Sequence, residues 1–372
     1  MPPRTQTVVF SHLRWDFVYQ RPQHIISRLA DTWPIVFLEE PVYDPEAQPY
    51  LERTSPCPNV EVVRPHTPVK APGYAEAQLP ALLPLLHEIL DATADAQPLA
   101  WLYTPMALPF ARAIEPSLVV YDCMDELSAF DFAPPELLAN EAELLEWADV
   151  VFTGGPSLYQ AKKDRHPNVW CFPSSVDSAH FARAREQLPE PADQAGIPHP
   201  RLGFFGVIDE RMDRELLASV AETHPAWQFV MVGPVVKVDP AALPQLPNIH
   251  YLGQRQYAEL PAYLSGWDVC LLPFARNQAT RFISPTQTLE YMAAEKPIVS
   301  TPIADVAGPY GEIVYLGDSP EAFMAACDDA LHALPAERER RIGRMRDVVE
   351  QTSWDATVRS MKAAINRARA ER

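Results

Sequence analysis

Residues 283–303 read ISPTQTLEYMAAEKPIVSTPI, and the fold class follows from how this stretch is punctuated. Ser284 is a good N-cap, Pro285 suits the first helical position, and Gln287 completes an S-x-x-Q capping box. Thr286 and Glu290 stand four apart and share one helical face. Lys296-Pro297 ends the helix, and Ile298-Val299-Ser300 reads as a short buried strand. A helix start of this kind offers free backbone N–H groups and a positive dipole end, which suits a phosphate. A carboxylate one turn further in is placed to accept hydrogen bonds from sugar hydroxyls beside it. A capped helix feeding a strand also occurs in any α/β protein, so by itself the stretch establishes only that class.

The same alternation runs outward in both directions. Upstream, 201–205 reads as a strand followed by Gly206 and a loop carrying Arg211, then a helix through Thr223. Residues 229–232 form the next strand, with Gly233 at its end, and 249–253 the one after. A glycine directly after a strand suits close backbone approach to a ligand. Near the amino terminus, 7–10 reads as a first strand. The loop behind it carries His12, Arg14, Trp15, Asp16, Gln20 and Arg21, and in open α/β sheets that edge is where ligands bind. Residues 118–121 form another strand, delivering Asp122, Asp125 and Glu126 to the same kind of edge. Three carboxylates there suit catalysis or substrate orientation, and equally the capping of the next turn. Residues 183–200, rich in Pro and Glu, read as a linker.

The chain has 372 residues, room for two domains of ordinary size. A net charge of −18 argues against wholesale binding to nucleic acid or an anionic membrane. Forty prolines are scattered through loops and helix starts, which predicts stiffened connections and not disorder. No run approaches the length of a membrane span, and no signal-peptide pattern opens the chain. The five cysteines have no C-x-x-C spacing, consistent with reduced thiols in a cytosol. The residues offer no metal-ligand set.

S-P-T-x-x-L-E-Y-M-A-A-x-K-P-I-V-S-T resembles the donor-site segment of bacterial retaining glycosyltransferases of the GT-B fold, family-4-like. H-L-R-W-D-x-V-x-Q-R-P-Q-H, from His12, resembles the opening of the subgroup that includes teichuronic-acid-type cell-surface enzymes. The resemblance implies that Glu290 binds the ribose of a nucleotide sugar, and that Ser284, Pro285 and Thr286 face its diphosphate. It also places Gly206, Arg211, Gly233 and Arg281 on the donor side. His12, Arg14, Trp15 and Arg21 fall on the acceptor side, and Asp122 or Asp125 at the reacting sugar. Three positions depart from the family pattern. Phe282 stands where an acid is common, Gln287 where a Lys often follows S-P-T, and Asp122 about where a His faces the sugar.

These readings together predict two Rossmann-like α/β domains facing across a cleft, the GT-B arrangement. The expected division is residues 1–178 for the acceptor domain and 179–352 for the donor domain. The last helix, within 353–372, is expected to cross back to the first domain. The function expected is metal-independent transfer of a hexosyl or related sugar from a nucleotide diphosphate sugar to a cell-surface glycan or lipid-linked acceptor, with retention. The donor, UDP-linked by first choice, is a substrate, and no cofactor is expected. The expected location is the cytoplasm, with at most peripheral contact at the inner face of the membrane, and no nucleic-acid partner. A nucleotide-sugar epimerase and an inactive nucleotide-sugar-binding protein remain as alternatives.

Overall fold

A computed structural model describes residues 6–91, 97–131, 133–186 and 188–372. It divides into two compact units, one holding the chain up to Pro173 together with Asp355–Arg372, the other Ser174–Trp354.

Nine strands form the sheet of the first unit among the described residues. They are β1 (Thr7–Ser11), β2 (Ile35–Glu39), β3 (Val42–Tyr43), β4 (Tyr50–Cys57), β5 (Val60–Thr67), β6 (Leu99–Leu102), β7 (Leu118–Cys123), β8 (Val150–Thr153) and β9 (Val169–Cys171). The order is β3-β5-β2-β1-β6-β7-β8-β9, all parallel, and β4 alone adds antiparallel to β5. Strands β1, β2, β6, β7 and β8 are apolar at nearly every position and buried throughout. That is the pattern of strands covered by helices on both faces.

Among the described residues the second unit has a six-stranded parallel sheet. Its strands are β10 (Arg201–Phe205), β11 (Gln228–Val232), β12 (Ile249–Gly253), β13 (Val269–Leu272), β14 (Ile298–Ser300) and β15 (Tyr315–Leu316). They lie in the order β12-β11-β10-β13-β14-β15. Both units therefore have a switch point, between β1 and β6 in one and between β10 and β13 in the other. There the strand order reverses and the carboxyl ends of the strands leave a crevice. Both units are Rossmann-like.

The last helix, Trp354–Glu371, packs on the first unit as expected. Val358, Met361 and Ile365, spaced three and four apart, are fully buried. Arg28 pairs with Asp355 at 2.8 Å, and Lys362 donates to Thr32 Oγ1 at 2.7 Å.

Two expectations are corrected. Residues 183–200 are not a free linker, although Gln187 lies outside the described residues. Gln194 is fully buried, accepts from Trp267 Nε1 at 2.9 Å and donates to the Tyr263 carbonyl at 3.1 Å. These single polar anchors carry no periodic signal. The capping box at Ser284 is also not formed: the helix runs Thr286–Ala293 with Pro285 at the cap and no side-chain capping bond. Gln287 instead donates to the Phe205 carbonyl at 3.2 Å, at the end of β10. No helix among the described residues is long and apolar enough to cross a membrane.

Candidate active site

In the second unit Gly206, Gly233 and the start of the helix that carries Glu290 meet where β10 and β11 end. Gly206 and Gly233 have φ of +143° and +151°. A Cβ on Gly233 would lie 1.8 Å from the Gly206 carbonyl oxygen, and one on Gly206 would lie 2.5 Å from Gln287 Nε2. Gly233 therefore demands glycine for space and for backbone conformation, and Gly206 for its conformation. The Thr286–Ala293 helix is tied to the same spot by two bonds. Besides the Gln287 contact, the Phe205 N–H donates to the Tyr291 hydroxyl at 3.1 Å. Ser284, Pro285 and Thr286 are half-buried just ahead of or at the first turn.

Glu290 follows one turn later and is 8% exposed. Its carboxyl makes no hydrogen bond or ion pair among the described residues. Burial pushes its pKa up to about 8. A buried carboxyl without a partner is an unfavourable arrangement that a ligand's hydroxyls would relieve.

The positive groups expected here are placed differently from one another. Arg211 is bound side-on by Asp209, with Nε–Oδ1 at 2.9 Å and Nη2–Oδ2 at 2.7 Å. Asp209 is itself buried. Arg281 is exposed and lies 5.1 Å from the centre of the Phe282 ring. Sequence reasoning missed Asp209 and Tyr291 as parts of this edge, and placed Gln287 in the donor segment without its contact to the end of β10. Their polar contacts run to backbone and side chains at positions that no spacing rule connects, although Asp209 stands only two residues from Arg211.

A further pair was not singled out in the sequence. His180 stacks on Tyr257, with ring centres 4.2 Å apart and planes 9° apart, and His180 Nε2 lies 3.0 Å from the Tyr257 carbonyl oxygen. Burial lowers the pKa of His180.

In the first unit the structure pairs two residues that the sequence assigned to different roles. Arg21, expected at the acceptor, and Asp122, expected at the reacting sugar, are 2% and 0% exposed. They form a two-pronged ion pair, Nη2–Oδ1 at 2.8 Å and Nε–Oδ2 at 3.3 Å, and Arg21 also donates to the Phe172 carbonyl at 2.7 Å. This geometry satisfies both groups inside the unit and leaves neither at its surface. The reason lies in the fold: Arg21 begins its helix beside the switch point, and Asp122 is the penultimate residue of β7.

Asp125, two residues past β7, stays half-buried, as does Glu126. Glu126 is held by Lys162 at 2.7 Å, and Lys162 also contacts Glu141 at 2.7 Å. Arg14 donates to Glu39 at 3.0 Å, and the Trp15 N–H donates to the same carboxylate at 2.7 Å. The Trp15 ring stands edge-on to Phe37 at 5.1 Å, half-buried like His12. No group of three or more His, Cys, Asp or Glu suited to a metal ion occurs among the described residues.

Comparison with known proteins adds to this geometry. Residues 199–333 match the family described as glycosyl transferases group 1. A protein of Bacillus subtilis (strain 168), provisionally named teichuronic acid biosynthesis glycosyltransferase TuaH, is 25% identical over 300 residues, covering 75% of this chain and 75% of that one. Among solved structures, sucrose-phosphate synthase from Thermosynechococcus elongatus superposes with a TM-score of 0.73 at 16% identity, covering 99% of this chain and 100% of that one. An E. coli structure described as trehalose-6-phosphate bound with UDP-2-fluoro glucose gives 0.70 at 15% identity, covering 97% and 99%.

Proposed function

We propose that this chain, a GT-B glycosyltransferase whose residues 199–333 are a glycosyl transferases group 1 domain, moves a sugar from a UDP-linked donor to a cell-envelope glycan or lipid-linked acceptor. The observation that carries the donor half is Glu290. Its carboxyl is buried without a partner among the described residues, one turn into a helix tied to the end of β10, beside two glycines that keep the backbone open. In this reading Glu290 accepts the ribose hydroxyls, and the 284–286 turn with Gly206 and Gly233 lies along the diphosphate. Arg211, oriented by Asp209, and Arg281 supply positive charge as the diphosphate leaves. Stabilising the charge that develops on the leaving group is then the main catalytic contribution.

In the first unit the catalytic part falls to Asp125, because Asp122 is spent on Arg21. His12, Arg14 and Trp15 form the acceptor side, and the anomeric configuration is retained. The choice of UDP is supported by the ligand in the E. coli structure, and the envelope acceptor by the name of the B. subtilis relative. The enzyme works in the cytoplasm, where nucleotide sugars are the available donors.

Binding without transfer has observations behind it too: Asp122 is buried, and Arg211 is already engaged by Asp209. Two measurements separate the readings. Calorimetric titration with UDP tests the donor site, and turnover of UDP-glucose and related nucleotide sugars across a panel of glycan acceptors tests transfer. UDP binding with no turnover on any acceptor would select the binding protein. Conversion of the donor alone to an isomeric nucleotide sugar would select an epimerase. Product anomers read by NMR test retention.

A further inference from the structure

Glu40 follows β2 directly, on the carboxyl edge of the first sheet and next to the loop that carries His12, Arg14 and Trp15. The charged groups around it are satisfied. Glu39 is fully buried and accepts from Arg14, from Arg64 at 2.7 Å and from the Trp15 N–H. Arg64 also reaches Asp16 at 3.2 Å and lies 3.7 Å from Glu52, which contacts His66 at 3.1 Å. Tyr74 is buried and donates to the Leu38 carbonyl at 2.6 Å. Glu40 is the exception. Arg14 bonds its backbone oxygen, but its carboxyl makes no hydrogen bond or ion pair among the described residues.

A second feature leaves that carboxyl its room. Gly73 sits in a turn with φ of +48°, and a Cβ there would lie 2.4 Å from Glu40 Oε1. The turn thus leaves a cradle that any larger residue would fill. Burial lifts the pKa of Glu40 to about 7, with Arg14 partly opposing the rise. Folding therefore gains nothing from this carboxyl at neutral pH, whereas a Gln of the same shape would be easier to bury. A group kept at a fold's expense, half-buried and without a partner among the described residues, on the edge where open sheets bind ligands, points to a ligand.

We propose that Glu40 receives a hydroxyl group of the acceptor, a neutral sugar unit, with Gly73 leaving room for the carboxyl. The proposal rests on the glycosyltransferase reading and adds a residue and a substrate class to it. A hydroxyl can donate to the carboxylate and accept from the protonated carboxyl, whereas a uronic acid would set two carboxylates against each other above pH 7.

The test uses the full chain, with methyl α-glucoside, methyl α-galactoside and N-acetylglucosamine as neutral probes and glucuronic acid as the anionic one. Saturation-transfer NMR is recorded below and above pH 7. At least one neutral probe is expected to bind the native protein, more tightly above pH 7, where the carboxylate is the stronger acceptor. Glu40→Gln should weaken it on the order of tenfold, as for one hydrogen bond to a charged group, and remove the pH dependence. Gly73→Ala should weaken it as well, with the carboxyl still present but displaced. Binding unchanged in both variants, no binding of any neutral probe, or a preference for glucuronic acid above pH 7 would each overturn the proposal. UDP titration in parallel locates the failure. Intact UDP binding with an indifferent Glu40→Gln removes Glu40 alone. A native chain that neither binds UDP nor turns over a nucleotide sugar removes the glycosyltransferase reading as well.

Discussion

The two sheets follow one plan, yet their carboxyl edges are finished in opposite ways. In the first unit the edge is dense with charge and nearly all of it is paired: Arg21 with Asp122, Arg14 and Arg64 with Glu39, Lys162 with Glu126 and Glu141. In the second unit the edge is made of glycine backbone, a helix start and two carboxyls, Glu210 in the loop after β10 and Glu290, that have no partner among the described residues. The difference teaches where each unit keeps its rigidity. A paired edge is fixed by its own ions, whereas an edge of backbone and idle carboxyls leaves polar groups for a ligand to complete.

The largest expected effect tests the paired side. Arg21→Ala leaves Asp122 charged and buried, and should destabilise the chain by about 3–5 kcal/mol. Denaturant unfolding measures it. A loss near zero would mean that the pair is not structural, and Asp122 would return as a candidate at the sugar.

Next comes the open side. Glu290→Ala should weaken UDP binding by about 1.5–3 kcal/mol, roughly tenfold to a hundredfold in Kd, with little loss of stability. An unchanged Kd in calorimetry removes Glu290 from the donor site and with it the contrast between the two edges.

A pH-dependent effect comes from the same carboxyl without ligand. Its folded pKa of about 8 lies above the ordinary 4.5, so the folded chain keeps a proton that the unfolded chain releases. Stability is therefore unaffected below about pH 4.5, falls as pH rises through that window, and levels off above about 8. Glu290→Gln should stabilise the chain in the absence of nucleotide, by on the order of a few kcal/mol at the alkaline end, with the gain fading towards acid; thermal unfolding at several pH values measures it. A gain that is the same at every pH would mean the carboxyl is not held neutral by burial.

The smallest effect concerns Arg281. Being exposed, its replacement by Ala should weaken UDP by less than about 1 kcal/mol and leave uridine binding unchanged. The loss should shrink as salt is added. A loss as large as that of Glu290→Ala would show a guanidinium that folds in against the diphosphate.

The amino-acid sequence by itself determined the alternation of strands and helices, because runs such as Val8-Val9-Phe10 and Leu118-Val119-Val120 have only a doubly covered sheet in which to be buried. It determined the docking face of the last helix through Val358, Met361 and Ile365, whose spacing is a property of one helix. It also pointed to Glu290, whose place one turn past a helix start is local. Only the tertiary structure decided that Arg21 and Asp122, 101 residues apart, form one buried pair. The same holds for the turning of Gln287 away from a cap to the end of β10, the anchoring of Gln194 under Trp267, and the cradle for Glu40 in the turn at Gly73. The physical reason is common to all four. Periodicity and capping are written in near neighbours, whereas a polar side chain's partner is chosen by which distant backbone or side chain the sheet order brings within about 3 Å.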